Sequence, residues 1–231
     1  MKTIGLIGGM SWESSIEYYR IINETVRAKL GGLHSAKSIM YSVDFAEIEV
    51  LQHQGKWDEA AELMIAAAKN VENGGADFVI ICTNTMHKMA DEVQKHIQIP
   101  LLHIADATAK TIKARGLRRI GLLGTKFSME EDFYRGRLAE KHRLEVLIPT
   151  TEEREIVHRV IYDELCVGKI DRASKEQYIS IMDRLVKNGA EGIILGCTEI
   201  TLLVRDEDSH VPLFDTTNIH AVAAVEYALD S

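Results

Sequence analysis

Two short stretches hold the side chains best suited to chemistry. Gly189 to Glu199 reads GAEGIILGCTE, and Gly75 to Thr85 reads GADFVIICTNT. Laid together without a gap, at an offset of 114 residues (Thr83 to Cys197), Gly75 meets Gly189 and Ile80 meets Ile194. Each is an apolar run that ends in small polar residues. Buried parallel strands have this form, and their carboxyl ends are where open α/β sheets bind ligands. One strand end presents a thiol, Cys197, and the other a hydroxyl, Thr83. A thiol just before a helix start is expected to have its pKa drawn down from about 8.5 toward neutrality, which suits proton abstraction. Glu199 is placed to accept from that thiol or to sit in the first helical turn, where acids are favourable.

Further polar residues stand at equivalent places. Asn84, Thr85, Thr125 and Thr198 each follow a strand, near a helix start. Singly, each reads as an N-cap. Together they read as a shared carboxylate site, since helix N-termini attract anions. The turn Gly8-Gly9-Met10 lacks both G-x-G-x-x-G and the P-loop ending, so its backbone N–H groups suit a small carboxylate better than a nucleotide.

The elements that must position these residues alternate. Strands are expected at Thr3–Ile7, Ser38–Val43, Phe78–Cys82, Pro100–Ile104, Arg119–Gly124, Leu144–Ile148, Ile193–Leu195 and Pro212–Phe214. Helical spacing covers Ser14–Leu30, Trp57–Val71, Thr85–His96, Ala105–Ala114, Met129–His142, Glu152–Leu165, Lys175–Lys187 and Asn218–Ala228. The stretch from Phe45 to Gly55, with Gln52 and His53, is ambiguous. This is the α/β class with mainly parallel sheets. A second matched pair, IGLIGGM at Ile4 and IGLLGTK at Ile120, has nearly the same offset as the first. The chain therefore reads as an internal duplication, two similar α/β domains with Thr83 and Cys197 across one cleft. The final strand and helix have no place in the repeat and are assigned to the first domain. The expected domains are 1–104 plus 212–231, and 105–211.

Composition narrows the partners. The 231 residues are 46 % hydrophobic with a net charge of −8. No nucleic-acid partner is expected, because phosphate recognition needs Lys and Arg clusters. No apolar stretch approaches the roughly 20 residues that span a bilayer, so no membrane association is expected. No signal peptide is read at the start, where Lys2 precedes a short apolar run. The three cysteines, Cys82, Cys166 and Cys197, lack metal-ligand spacing. No metal site is expected, and the setting is read as reducing and cytoplasmic.

ICTNTMHK and LGCTEI resemble the paired motifs of the aspartate/glutamate racemase family, and IGLIGGMSWESS, YSVDFAEIE and LLGTKFSM are similar to segments of it. The resemblance runs over essentially the whole chain. It implies an amino-acid racemase of two α/β domains that uses no cofactor, acts on a small acidic amino acid and forms a homodimer. In that family two cysteines flank the α-carbon, one removing the proton and the other donating from the opposite face. Here Thr83 stands where the first cysteine is expected, so Thr83 and Cys197 are the implied catalytic pair. By analogy with glutamate racemases, Cys197 acts on the L form, which is then the preferred substrate. Around the carboxylates the resemblance places Met10, Gln52, Asn84, Thr85, Thr125, Lys169 and Thr198, with Lys169 at the distal one and Gln52 and His53 as weaker candidates there. Cys82, beside Thr83, is the weaker candidate for the second base. His87 polarises the site or packs, and Cys166 packs. Two other readings compete: a single-cysteine decarboxylase or isomerase of a small dicarboxylic acid, and a carboxylate-binding protein without turnover.

Overall fold

The computed structural model describes residues 1–230. They form two compact units, Met1–Ile104 with the segment from His220 onward, and Ala105–Ile219.

In the first unit the order is β1 (Ile4–Gly8), α1 (Trp12–Leu30), β2 (Ser38–Ser42), α2 (Phe45–His53), α3 (Trp57–Asn73), β3 (Phe78–Ile81) and α4 (Ala90–His96). The strands are parallel in the order β2-β1-β3, with Ile4 in register with Ser38 and Phe78. Both β1 and β3 are buried along their whole length, as their unbroken apolar runs require. Strand alternation divides the core. Val79 and Ile81 pack with Ile48, Met64 and Ala68. Phe78, Ile80 and Cys82 pack with Tyr18, Ile22 and Val225. The ambiguous stretch resolves as α2, N-capped by Asp44, whose carboxylate accepts from the Ala46 N–H. The expected strand at Pro100–Ile104 shrinks to one parallel bridge between Leu101 and Val79, because α5 (Ile104–Ala114) begins before a strand can extend.

The second unit continues from α5 with β4 (Arg119–Gly124), α6 (Lys126–Glu130), α7 (Arg135–His142), β5 (Glu145–Leu147), α8 (Thr151–Asp163), α9 (Arg172–Lys187), β6 (Ile193–Gly196), α10 (Ile200–Leu203) and β7 (Leu213–Asp215). The parallel order is β5-β4-β6-β7. This matches the first sheet strand for strand, with the Leu101 bridge in the place of β7. Two expectations are corrected here. The single helix over Met129–His142 is two, broken where Glu131 turns extended. Its second half is drawn to Asp106 on α5, which takes two hydrogen bonds from Arg137 at 2.8 Å and one each from Lys141 and His142 at 2.6 Å. Burial disfavours the Asp106 charge, but these three partners outweigh it and hold the carboxyl well below its usual range. The boundary expected after residue 211 is also wrong. β7 pairs with β6, so the second unit extends to Ile219.

Only the last helix, α11 (Thr216–Leu229), passes into the first unit. There Ala221, Ala224, Val225 and Ala228 close the core over Ile4, Leu6 and Phe78. α11 follows β7 as α5 follows the Leu101 bridge. Each repeat thus gives its last helix to the other unit.

His220, on α11, is fully buried. Its Nε2–H donates to the Leu102 carbonyl at 2.9 Å, so its Nδ1 accepts from the Tyr18 hydroxyl at 2.8 Å. Burial lowers its pKa to about 4. The unfolded chain, with a histidine near 6.5, therefore takes up this proton first. Its contribution is complete above pH 6.5 and is lost as the pH falls toward 4, amounting to about 3 kcal/mol. Urea midpoints measured from pH 7 down to 4.5 are expected to fall by a share of that size. His220→Phe should lower the midpoint at pH 7 and make the decline shallower.

Candidate functional site

Within each unit most of the singled-out residues lie where the chain leaves the carboxyl ends of the strands; Gln52, on α2, and Lys169, after α8, do not. In the first, Thr83 follows β3 and is half-buried between buried Cys82 and buried Asn84. The next turn, Thr85–Met89, is a 3-10 helix. His87 braces it. The His87 Nδ1–H donates to the Thr83 carbonyl at 2.7 Å, and Nε2 accepts from the Ile104 N–H at 3.2 Å. Both ring nitrogens are held by backbone, so the imidazole is neutral and its tautomer is set. It lies 4.6 Å from the His103 ring and 5.6 Å from the His220 ring, centroid to centroid. His87 therefore orients the Thr83 loop.

Gln52 supports the same loop from α2. It is buried, and its Nε2–H donates to the Met86 sulfur at 3.0 Å. Met10, at the carboxyl end of β1, has its side chain in the core with Ile48 and Met86, so this turn presents its backbone groups. One of those is committed, since the Gly9 N–H donates to Ser15 Oγ at 2.8 Å. Gly9 itself has φ +93°, and a Cβ there would stand 2.2 Å from the Val43 carbonyl oxygen, so only glycine fits. Cys82 is fully buried in the opposite core cluster, and burial pushes its thiol pKa far up. Thr83, not Cys82, presents the accessible side chain at this strand end.

The second unit has the matching strand end. Gly196 closes β6 with no room for a side chain, since a Cβ would lie 2.8 Å from the Leu123 carbonyl oxygen. Cys197 comes next, half-buried, and its Sγ–H donates to Glu199 Oε2 at 2.9 Å. The expected downward pKa shift is overturned. Desolvation, the Glu199 carboxylate and the neighbouring Cys166 raise the Cys197 pKa well above its ordinary value. The helix that was to depress it, α10, is a single turn. The resting thiol is protonated, with a carboxylate placed to receive its proton.

Of the four residues read as N-caps or carboxylate ligands, only Thr125 is a side-chain cap. Its Oγ1 accepts from the Ser128 N–H at 3.3 Å. Asn84 and Thr85 lie at the start of the 3-10 turn, where no side-chain cap forms. The Thr198 hydroxyl pairs with that of Thr217 at 2.8 Å, and Thr216 Oγ1 donates to the Leu195 carbonyl at 2.9 Å. Thr216 and Thr217 were missed by sequence reasoning. Their signal is the polar run Asp215-Thr216-Thr217-Asn218, which starts at the last residue of β7 and continues past it as at the other strand ends. Lys169 is exposed on the loop after the 3-10 turn Leu165–Val167. Its backbone N–H donates to the Glu164 carbonyl at 2.8 Å. Among the described residues, no group of three or more His, Cys, Asp or Glu side chains is placed to hold a metal ion, and no helix is long and apolar enough to cross a membrane.

The family model for Asp/Glu/Hydantoin racemase matches residues 7–224. The chain belongs to that family. A solved structure from Yersinia pestis, a putative Asp/Glu racemase, is 57 % identical with a TM-score of 0.95, covering 100 % of both chains. An aspartate racemase homologue from Pyrococcus horikoshii OT3 is 38 % identical with a TM-score of 0.86, again over 100 % of both chains. Among curated relatives, the broad specificity amino-acid racemase RacX of Bacillus subtilis is 24 % identical over 175 residues, 73 % of this chain and 72 % of that protein. Membership accounts for the repeated parallel sheets and makes amino-acid racemisation the class of reaction.

Proposed function

We propose that the protein racemises aspartate or glutamate, without a cofactor, by moving the α-proton between two unlike groups. The observation that carries the proposal is the equivalence of the β3 and β6 ends. Each strand has the same place in its sheet, and each is followed by a half-buried side chain, Thr83 in one unit and Cys197 in the other. Two-base inversion requires these two groups on opposite faces of the α-carbon.

Cys197 is the strong base of the pair. Its proton passes to Glu199, and the thiolate takes the α-proton of the L amino acid. The resulting carbanion delocalises into the α-carboxylate. Hydroxyl and amide donors from Asn84, Thr85, Thr125 and Thr198 stabilise it best if they are already oriented, as fixed donors in a dry site are. Thr83 returns a proton to the far face from its hydroxyl or from a water that it orients. Lys169 supplies the cation for the distal carboxylate, and Gln52 and the Met10 turn complete the binding surface. Turnover needs a reduced Cys197, and all three cysteines are free thiols, so we place the reaction in the cytoplasm.

The test is α-proton exchange in heavy water. L-aspartate, D-aspartate, L-glutamate and D-glutamate are incubated separately and followed by NMR and polarimetry. Exchange with loss of optical activity is expected for at least one acidic pair. Absence of exchange with all four overturns the substrate assignment.

A further inference from the structure

We propose that the second unit carries a binding site for an apolar α-amino acid, separate from the strand end that presents Cys197. A depression of about 410 Å³ opens beside the carboxyl end of β7, the end at which parallel sheets hold ligands. It lies wholly within the second unit and is not lined by Cys197, Thr198 or Glu199. Its volume falls at the small end of the range for ligand pockets, which suits a single amino acid. Two cations and two acids converge on it. Arg115 stands just past α5, Arg205 and Asp206 follow α10, and Asp215 ends β7. Among the described residues, neither guanidinium is held in an ion pair, nor is the Asp206 carboxylate. Lys175 takes Asp208 at 2.7 Å, so that acid is not left for Arg205. The Arg115 guanidinium lies 5.3 Å from the centre of the Phe214 ring. A guanidinium held against a ring keeps its edge N–H donors for a carboxylate.

The balance of charge selects the ligand. A phosphate or a dicarboxylate drawn in by the arginines would also meet Asp206 and Asp215, and like charges placed together cost affinity. A zwitterion answers both signs. Its carboxylate goes to Arg115 and Arg205, and its ammonium to Asp206. Asp215 contributes less, because its Oδ1 already accepts from the N–H groups of Thr217 at 2.9 Å and Asn218 at 3.1 Å. The remaining wall is apolar: Leu195, Val204 and Phe214 are buried, and Leu213 and Ile219 half-buried. It gives a hydrocarbon side chain a surface to cover and offers a distal carboxylate nothing. The lining is also fixed in advance. The Thr201 hydroxyl donates to the Thr198 carbonyl at 2.7 Å, and the Leu195 carbonyl accepts from Thr216, so binding orders little that is not already held.

Calorimetric titration of the full chain with L-leucine tests this. Saturable binding at one site per chain is expected, with a dissociation constant below about 1 mM, and it should persist in excess L-glutamate. Arg115→Ala and Arg205→Ala should each weaken it roughly 10- to 100-fold, the worth of a hydrogen bond to a charged group. Circular dichroism should not change, because both side chains are exposed. Isocaproate, which keeps the carboxylate and the branched chain but lacks the ammonium, should bind the wild type at least ~10-fold more weakly than L-leucine. Asp206→Asn should remove most of that difference. Absence of L-leucine binding, displacement of L-leucine by L-glutamate, or binding that both arginine variants retain overturns the proposal. So does a wild type that binds isocaproate as tightly as L-leucine.

Discussion

Cys197→Ala is expected to lower kcat/KM for racemisation by about 10²–10⁴, the usual range for a positioned general base. That corresponds to about 3–5.5 kcal/mol of transition-state stabilisation. Substrate binding should change little, because the role proposed for the thiol lies in proton transfer and the carboxylate contacts are assigned to other side chains. Calorimetric titration with L-aspartate and L-glutamate, beside polarimetric rates, separates the two quantities. The fold should tolerate the change, since Cys197 lies beyond β6 and is only half-buried. A variant that keeps turnover within tenfold of the wild type would mean that the proton leaves by another route. Cys197→Ser is the sharper form, preserving a donor to Glu199 while raising the acid's pKa by several units.

Thr83 makes the second large prediction, and its sign depends on the observable. Thr83→Val removes the hydroxyl at constant shape. Inversion should fall by at least about 10², within the usual worth of a positioned acid or base. Exchange of the α-proton of the L amino acid with solvent should persist with retention, because in the proposed mechanism Cys197 still takes and returns that proton on its own face. Thr83→Cys should act in the other direction and raise kcat for racemisation by about 10- to 100-fold, since each unit of pKa mismatch is worth about 1.4 kcal/mol. Neither change can make the enzyme run one way. The equilibrium constant of racemisation is one, so kcat/KM must remain equal for the two enantiomers. A preference for L can appear only in kcat and KM separately. Loss of exchange together with inversion in Thr83→Val would contradict the division of labour.

Much of this site was legible because strand ends punctuate themselves. The runs FVII and IILG are apolar throughout, and the residues just beyond each are small and polar. Less legible was anything that depends on where a side chain turns after the strand stops. Glu199 reads equally as a first-turn acid or a thiol acceptor, and it is burial of the thiol first, with the Glu199 carboxylate turned toward it second, that reverses the sign of the pKa shift. His87 has the same character: one turn of spacing gives its contact with the Thr83 carbonyl, but the bond from Ile104 crosses 17 residues. The break between α6 and α7 was hidden because Met129 to His142 has sound helical periodicity, while Asp106, far earlier in the chain, decides it. The partner of β7 was hidden because a three-residue strand carries no sign of its sheet. Counting the Leu101 bridge as its counterpart would have corrected the boundary.

The exchanged last helices bear on biosynthesis. Residues 105–219 form an unbroken segment with its own sheet, so this unit has its whole sequence before the chain is finished. The other unit begins first but finishes last: Ile4, Leu6, Tyr18 and Phe78 wait for Ala221, Ala224 and Val225 to cover them. At translation rates of about 5–20 residues per second, that wait lasts roughly 6–25 s after residue 104 is made. Throughout it, the segment made before residue 105 carries an open apolar face.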